Sequence, residues 1–286
     1  MAFVAAGIKS GDEVIVPSFT FAATANSVVL AGGTPVFADI EQDYFNMDPK
    51  AAESAITPRT RALMPVHLYG HPAAMREYKD IAARHNLLLF EDAAQAHAAA
   101  LDDIPVGAWG VAASFSFYPT KNMTSGEGGM VTTNDYSLYK KLMRLRSHGI
   151  NKLDDEFQNP ILSKTAGVTN PWYYEMQELG YNYRITDLQC ALGRSQLKRL
   201  PDFITRRQEI ASCYNQAFSN LDWLKTPALA PWLLSATENC LLKIENLISW
   251  HLYTLQIDFP SLSKTRTEVM QELREQGVGT QVLYIP

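Results

Sequence analysis

Two rhythms of apolar and polar positions take turns along the first 150 residues. Continuous apolar, β-branched runs predict strands at "EVIVPS" (Glu13 to Ser18), "TPVFADI" (Thr34 to Ile40) and "TRALMPVHLYG" (Thr60 to Gly70). Two more follow, at "LLLFEDAAQ" (Leu87 to Gln95) and "VAASFSFYPTK" (Val111 to Lys121). Between them lie stretches with helical spacing: "AATANSVVLAGG", "DPKAAESAI" and "MREYKDIAARHN". The first stops at paired glycines, the second starts with an Asp-Pro signal, and the third ends at Asn86. "GGMVTTND" and the helix "SLYKKLMRLRSHG" complete this half. Apolar strands separated by helices predict an α/β fold, with a mostly parallel central sheet covered by helices on both faces. Ligands of such sheets gather beyond the carboxyl ends of the strands, where Asp92 and Lys121 both fall.

The pattern then loosens. Residues 149–172 read as a polar, proline-containing loop, and "GYNYRITDLQCALGRSQLKRLPDFITRRQEIASCYNQAF" as long helices with a break near Pro201. That break suggests a large domain over residues 1–200 and a partial small C-terminal α/β domain over 201–286. Signals are mixed from Thr226 to Ser249; "WHLYTLQIDF" then predicts a strand and "SKTRTEVMQELREQGV" a well-capped helix.

Composition narrows the function classes. The 286 residues are 47% hydrophobic and 19% charged, enough for one large domain and part of another. A formal net charge of -5 disfavours nucleic-acid binding, and the cluster Lys140, Lys141, Arg144 and Arg146 reads as a solvated helix face. No apolar run is long enough to span a bilayer, and the opening residues lack the basic start of a signal peptide. Cys190, Cys213 and Cys240 lie far apart without metal-ligand spacing. They predict a reducing, cytoplasmic setting with the thiols packed as small apolar groups.

The candidate chemistry centres on two strand ends. Glu91 and Asp92 close one apolar run, with Gln95 three residues beyond Asp92. An acid there binds metal, acts as a base, holds a protonated ring nitrogen, or simply caps a following helix. Only His97 is near enough to help with a metal, so no metal site is expected. Lys121 ends another run, before the glycine-rich Gly126 to Gly129. Read alone, it snorkels to solvent; in an apolar site its amine loses basicity and becomes a nucleophile for carbonyls. Ser116 precedes it by five residues. An acid at one strand end and a lysine at another, 29 residues on, match the needs of pyridoxal phosphate: a carboxylate for the pyridine nitrogen, an amine for the aldehyde, and a hydroxyl with backbone amides for the phosphate.

These residues stand within segments that resemble the DegT/DnrJ/EryC1/StrS sugar-nucleotide aminotransferases, whose fold-type I architecture is that of aspartate aminotransferase. The resemblance rests on "GDEVIVPSFTFAATANSV", "GGTPVFADI", "PVHLYGHPAAM", "FEDAAQAH", "SFSFYPTKNMTSGEGGMVTTND", "RLRSHGI" and "GYNYRITDLQCALGRSQL", in the family's order over most of residues 8–215. It implies pyridoxal 5'-phosphate as cofactor and Lys121 as the Schiff-base lysine. It implies Asp92 on the pyridine nitrogen, Gln95 near the phenolic oxygen, Ser116 on the phosphate and Phe21 stacked on the ring. Asn182 would reach the phosphate of the neighbouring subunit's cofactor, making the active unit a homodimer. The bland readings are core packing for Phe21 and a turn position for Asn182.

Within the family, "PWYYEMQELGYNYR" and "RSHGI" are similar to members that aminate the C4 keto group of UDP-linked 4-keto-6-deoxy-hexosamines on the way to pseudaminic acid. Members making UDP-4-amino-4-deoxy-L-arabinose for lipid A come next. L-Glutamate is the implied amino donor in both. Relatives that are dehydratases replace the Schiff-base lysine, usually by histidine, so Lys121 argues against that chemistry. The resemblance also implies residues ahead of "AGIKSGDE", including a Gly-Thr phosphate turn, and more chain after "LYIP". The chain is therefore expected to be truncated at both ends, and a non-catalytic family member is the competing reading.

Overall fold

A computed structural model of the chain describes residues 1–151, 157–236 and 248–285. Helices and strands alternate from the start: α1 (Ala2–Ala5), β1 (Glu13–Pro17), α2 (Ala23–Leu30), β2 (Thr34–Ala38), α3 (Pro49–Ser54), β3 (Thr60–Leu63), α4 (Met75–His85) and β4 (Leu88–Asp92). A tight hairpin of β5 (Ala100–Leu101) and β6 (Ile104–Pro105) leads to β7 (Ala112–Ser116), β8 (Gly129–Thr132) and α5 (Tyr136–Leu145). Short pieces follow: β9 (Ile150–Asn151), α6 (Pro160–Ser163), β10 (Lys164–Thr165), β11 (Val168–Thr169) and β12 (Glu175–Met176). The long α7 (Asp187–Phe218) precedes β13 (Leu224–Lys225), α8 (Pro231–Ala236), β14 (Gln256–Ile257) and α9 (Arg266–Glu275).

Six strands form one sheet in the order β2-β1-β3-β4-β7-β8. The first five run parallel, and β8 returns antiparallel to β7 at the edge. Successive residues of a strand point to opposite faces, and β1 shows the result. Ile15 packs with Leu63, Tyr78 and Leu89 in one core, while Val14 and Val16 pack with Phe90 and Leu142 in another. Both faces are dry, which is why the central strands read as unbroken apolar runs.

Helix ends follow the sequence signals. The Asp48 side chain caps α3 by accepting from Lys50 N, and α4 ends on Asn86 in the left-handed conformation. Thr265 and Glu268 form a reciprocal capping box on α9.

Three expectations change. The break at Pro201 is absent, and α7 runs through it without interruption. Leu197, whose carbonyl loses its helical donor, lies on the exposed side of the helix, so the orphaned carbonyl is not sealed in the core. In the stretch read as "WHLYTLQIDF", only Gln256 and Ile257 pair as a strand, against β13. Its start is drawn elsewhere: His251 N donates to Tyr69 O. Of the cysteines, Cys190 is half-buried but Cys213 is exposed on the outer face of α7, and Cys240 lies outside the described residues.

Candidate active site

The carboxyl ends of β1, β3, β4 and β7 open on one edge of the sheet, and the predicted residues gather there. Strand geometry separates the two acids of β4. Glu91 is fully buried and accepts from His67 Nε2 at 3.1 Å and from the backbone N–H groups of Gly107, Trp109 and Gly110. His67 Nδ1 accepts from Ala73 N, so the proton sits on Nε2 and points at Glu91. Burial pushes the Glu91 carboxyl up, but His67 and the amides outweigh it and hold it below the usual range. Glu91 is a structural hub.

Asp92, one residue on, faces the other way. Its Oδ2 accepts from Thr24 Oγ1 at 2.8 Å and its Oδ1 from Ala94 N at 3.1 Å. The second bond closes a turn, and no helix follows for Asp92 to cap. Thr24 spends its one proton on Asp92, so the 3.0 Å contact between Thr20 and Thr24 hydroxyls has Thr20 as donor. No local pattern announces this relay, because α2 carries Thr24 into the site from 68 residues away.

Lys121 stands in the loop after β7. Phe117 O accepts from Ser125 N and from Thr124 Oγ1, which closes the loop on itself. The neighbours Asn122 and Met123 are buried, and Asn122 Nδ2 donates to Ser249 O and Oγ. The lysine is thus anchored from below while its own side chain stays half-buried. Two of the glycines serve this closure: a side chain on Gly128 would strike Ser125 Oγ at 2.6 Å, and one on Gly129 would strike Phe115 O at 2.8 Å. Burial lowers the basicity of the Lys121 amine, and the charge of Asp92 only partly restores it.

Gln95 is buried between two partners. Its Oε1 accepts from Tyr69 N at 2.7 Å, and its Nε2 donates to the Tyr284 hydroxyl at 2.6 Å. Tyr69 holds a left-handed φ of 58°, an uncommon state for an aromatic residue, which the bond to Gln95 helps fix. The Tyr284 ring lies near Phe19, Phe21 and Tyr69, with centroids 5.7, 6.2 and 6.3 Å away. Phe21 itself is exposed, which removes the core-packing reading. Ser116 ends β7 half-buried, with only a long 3.4 Å contact from Tyr118 N to its hydroxyl. Asn182 is the one predicted residue placed elsewhere: it is exposed and bridges to Ser147.

An aromatic ring bearing a phenolic oxygen therefore already rests on Gln95; burial keeps its proton in place against the opposing pull of the Gln95 bond, with a smaller contribution from Asp92. Pyridoxal phosphate is also a ring with a phenolic oxygen, and it needs a carboxylate and an amine nearby. The residues present fit it. Among the described residues no group of three or more His, Cys, Asp or Glu is placed to hold a metal ion, and no helix is long and apolar enough to cross a membrane.

Comparison with known proteins gives the family. The family model of the DegT/DnrJ/EryC1/StrS aminotransferases matches residues 1–286. The chain belongs to that family. It is 37% identical to GDP-perosamine synthase of Caulobacter vibrioides over 287 residues, covering all of this chain and 69% of the relative. Its structure superposes on S. venezuelae DesV, solved in complex with a ketimine intermediate, with a TM-score of 0.81 and 35% identity, covering 100% of this chain and 67% of DesV. Helicobacter pylori PseC, an aminotransferase involved in the biosynthesis of pseudoaminic acid, gives a TM-score of 0.82 at 30% identity, with 100% of this chain and 69% of PseC covered. Members of the family are sugar aminotransferases of fold-type I, and pyridoxal phosphate is their cofactor.

Proposed function

We propose that the protein is a cytoplasmic aminotransferase that moves an amino group from L-glutamate to the C4 keto group of a UDP-linked 4-keto-6-deoxy sugar. One arrangement carries the reading: Asp92 ends β4 in register with Ser114 of β7, and the loop that follows β7 carries the half-buried Lys121. Pyridoxal phosphate supplies an electrophilic carbonyl and an electron sink for the carbanion.

The chain's own residues do the rest. The Asp92 carboxylate, oriented by Thr24 and Ala94, would hold a proton on the ring nitrogen. Gln95 Nε2, which donates to the Tyr284 hydroxyl, would turn its donors to the cofactor's phenolic oxygen, with Tyr69 N fixing the orientation of the amide. Phe21 offers an exposed aromatic face for stacking, and Ser116 a hydroxyl free to donate to phosphate. The Lys121 amine, deprotonated more readily than an ordinary lysine, would move a proton from the donor's α-carbon to the cofactor in the first half-reaction and from the cofactor to the sugar's C4 in the second. Asn182 is assigned to the phosphate of a neighbouring subunit's cofactor. Its exposure supports this, as does the exposed apolar surface around it at Leu179, Tyr183 and Leu188. The functional unit is then a homodimer.

The test is a visible spectrum of the chain with pyridoxal phosphate, followed by borohydride reduction and peptide mapping. The expected result is a reduced adduct on Lys121 that is absent from Lys121→Ala. An adduct on other lysines alone overturns the assignment. Turnover of UDP-linked 4-keto-6-deoxy sugars, with glutamate consumed, then tests the substrate. The likeness to GDP-perosamine synthase supports a second reading, a GDP-linked acceptor. Turnover of the GDP-linked sugar alone would replace the first reading by the second.

A further inference from the structure

The segment after α9 returns to the candidate site without forming a helix or strand. Among the described residues, Gly279 to Ile285 donate no backbone hydrogen bond. Gln281 and Val282 are exposed, and so is Ile285. Leu283 and Tyr284 between them turn inward and are half-buried. Two hydrogen bonds hold them there. Gln95 Nε2 donates to the Tyr284 hydroxyl at 2.6 Å, and the Tyr69 hydroxyl donates to Leu283 O at 3.2 Å. Among the described residues the Tyr284 hydroxyl makes no other hydrogen bond. Its ring stacks on Tyr69, meets Phe19 edge-on and lies tilted 6.2 Å from Phe21.

These partners are the ones the cofactor calls on. In the reading above, the phenolic oxygen of pyridoxal phosphate takes a donor from Gln95, and its ring lies on the exposed face of Phe21. Tyr284 brings a phenolic oxygen to the same Gln95 nitrogen and a ring beside the same phenylalanine. Two phenolic rings thus address one amide and one aromatic face. Close packing leaves no room for both on one set of partners.

We infer that residues 282–285 form a displaceable strap, in which Tyr284 competes with the cofactor's phenolic ring for Gln95 and for the face of Phe21. The inference rests on the cofactor reading and adds how the cofactor gains its place. The strap is held by two hydrogen bonds and a half-exposed ring, with no ladder of backbone bonds behind them, so it opens at little cost. It does not block the site. It lowers apparent cofactor affinity in proportion to the fraction of chains in which it is closed. Gln95 keeps its orientation through the exchange, because Tyr69 N holds Oε1 whichever ring takes the other end of the amide.

The test uses 4'-deoxypyridoxine 5'-phosphate, which has the cofactor's ring, phenolic oxygen and phosphate but no aldehyde for Lys121. Its binding is measured by calorimetry, and nitration of Tyr284 by tetranitromethane is scored by peptide mapping. A bound ligand ordinarily shields the residues around it. The strap predicts the reverse: Tyr284 is nitrated faster when the analogue saturates the site. Tyr284→Phe, which loses only the bond to Gln95, should tighten analogue binding several-fold, and Tyr284→Ala about tenfold. Unchanged or slower nitration overturns the strap, because Tyr284 then stays beside the bound ring and shares the two N–H groups of Gln95 with it. Weaker or unchanged analogue binding in both variants overturns it as well. Borohydride trapping of pyridoxal phosphate on Lys121 is scored in parallel. A trapped lysine with unchanged nitration removes the strap alone. Binding of cofactor and analogue to neither wild type nor Tyr284→Ala removes the cofactor reading, and the strap with it.

Discussion

Thr24 Oγ1 donates to Asp92 Oδ2 at 2.8 Å, joining the start of α2 to the end of β4 across the mouth of the site. Thr24→Val removes the donor while keeping the shape. Cofactor affinity should fall about tenfold, read as a shift in the pyridoxal phosphate titration midpoint. Asp92→Asn should cost far more, about 10² to 10⁴ in turnover, because the negative charge that keeps the ring nitrogen protonated is then lost. A Thr24→Val midpoint equal to wild type would show that Asp92 is oriented without it.

Lys121 should react with pyridoxal phosphate at lower pH than surface lysines. Burial depresses its folded-state basicity, so the neutral amine is populated earlier as pH rises. Borohydride trapping scored by peptide mapping across pH 6 to 10 should place the Lys121 midpoint below those of exposed lysines. Coincident midpoints would contradict the described burial.

Glu91 should matter for stability and not for chemistry. Glu91→Ala strands the His67 Nε2 proton and three backbone donors in a dry interior, at a cost of about 3–5 kcal/mol. The melting temperature should drop steeply. A loss of turnover with unchanged melting would instead place Glu91 in the reaction.

Acid should destabilise the fold through its buried histidines. Burial lowers His71 and His97 to about 4 and His251 to about 3, with Lys121 adding to the shift at His97 and His251. The unfolded chain then binds more protons between these values and the ordinary 6.5. Stability is full above about pH 6.5 and is lost as pH falls toward 4. His71 sits fully buried, and His71→Gln should flatten the fall in melting temperature between pH 6.5 and 4.5.

Much of this arrangement was legible because local rules governed it. The strands β1, β4 and β7 are buried on both faces, so their sequences could only be apolar, and the period of two along β4 sent Glu91 inward and Asp92 outward. What escaped depends on distant partners. "GGMVTT" reads as a strand in either direction, and only the short loop after Lys121 makes β8 return antiparallel. Trp250 to Leu252 have strand composition, yet the backbone of His251 pairs with the turn at Tyr69, brought there by the fold. Tyr284 meets Gln95 across 189 residues of sequence, and no local pattern announces such a contact. Pro201 misled for the opposite reason: its local penalty is real but small when the orphaned carbonyl faces water.

Helix α7 packs Leu200 against Phe117 and Met123 near its middle, and hydrogen bonds grip the candidate site on either side of that contact. Gln189 Nε2 donates to Glu127 O in the loop that follows Lys121, and Arg207 holds Trp250 and His251. At 1.5 Å per residue these grips stand about 27 Å apart on one rod. A tilt of one degree about either grip displaces the other by about 0.5 Å, the tolerance within which reacting groups must be held. The helix is in this sense a lever arm, and Pro201 lies between its two points of purchase. Side chains that touch neither cofactor nor sugar, but set the straightness of this rod, would govern how closely donor and lysine are aligned.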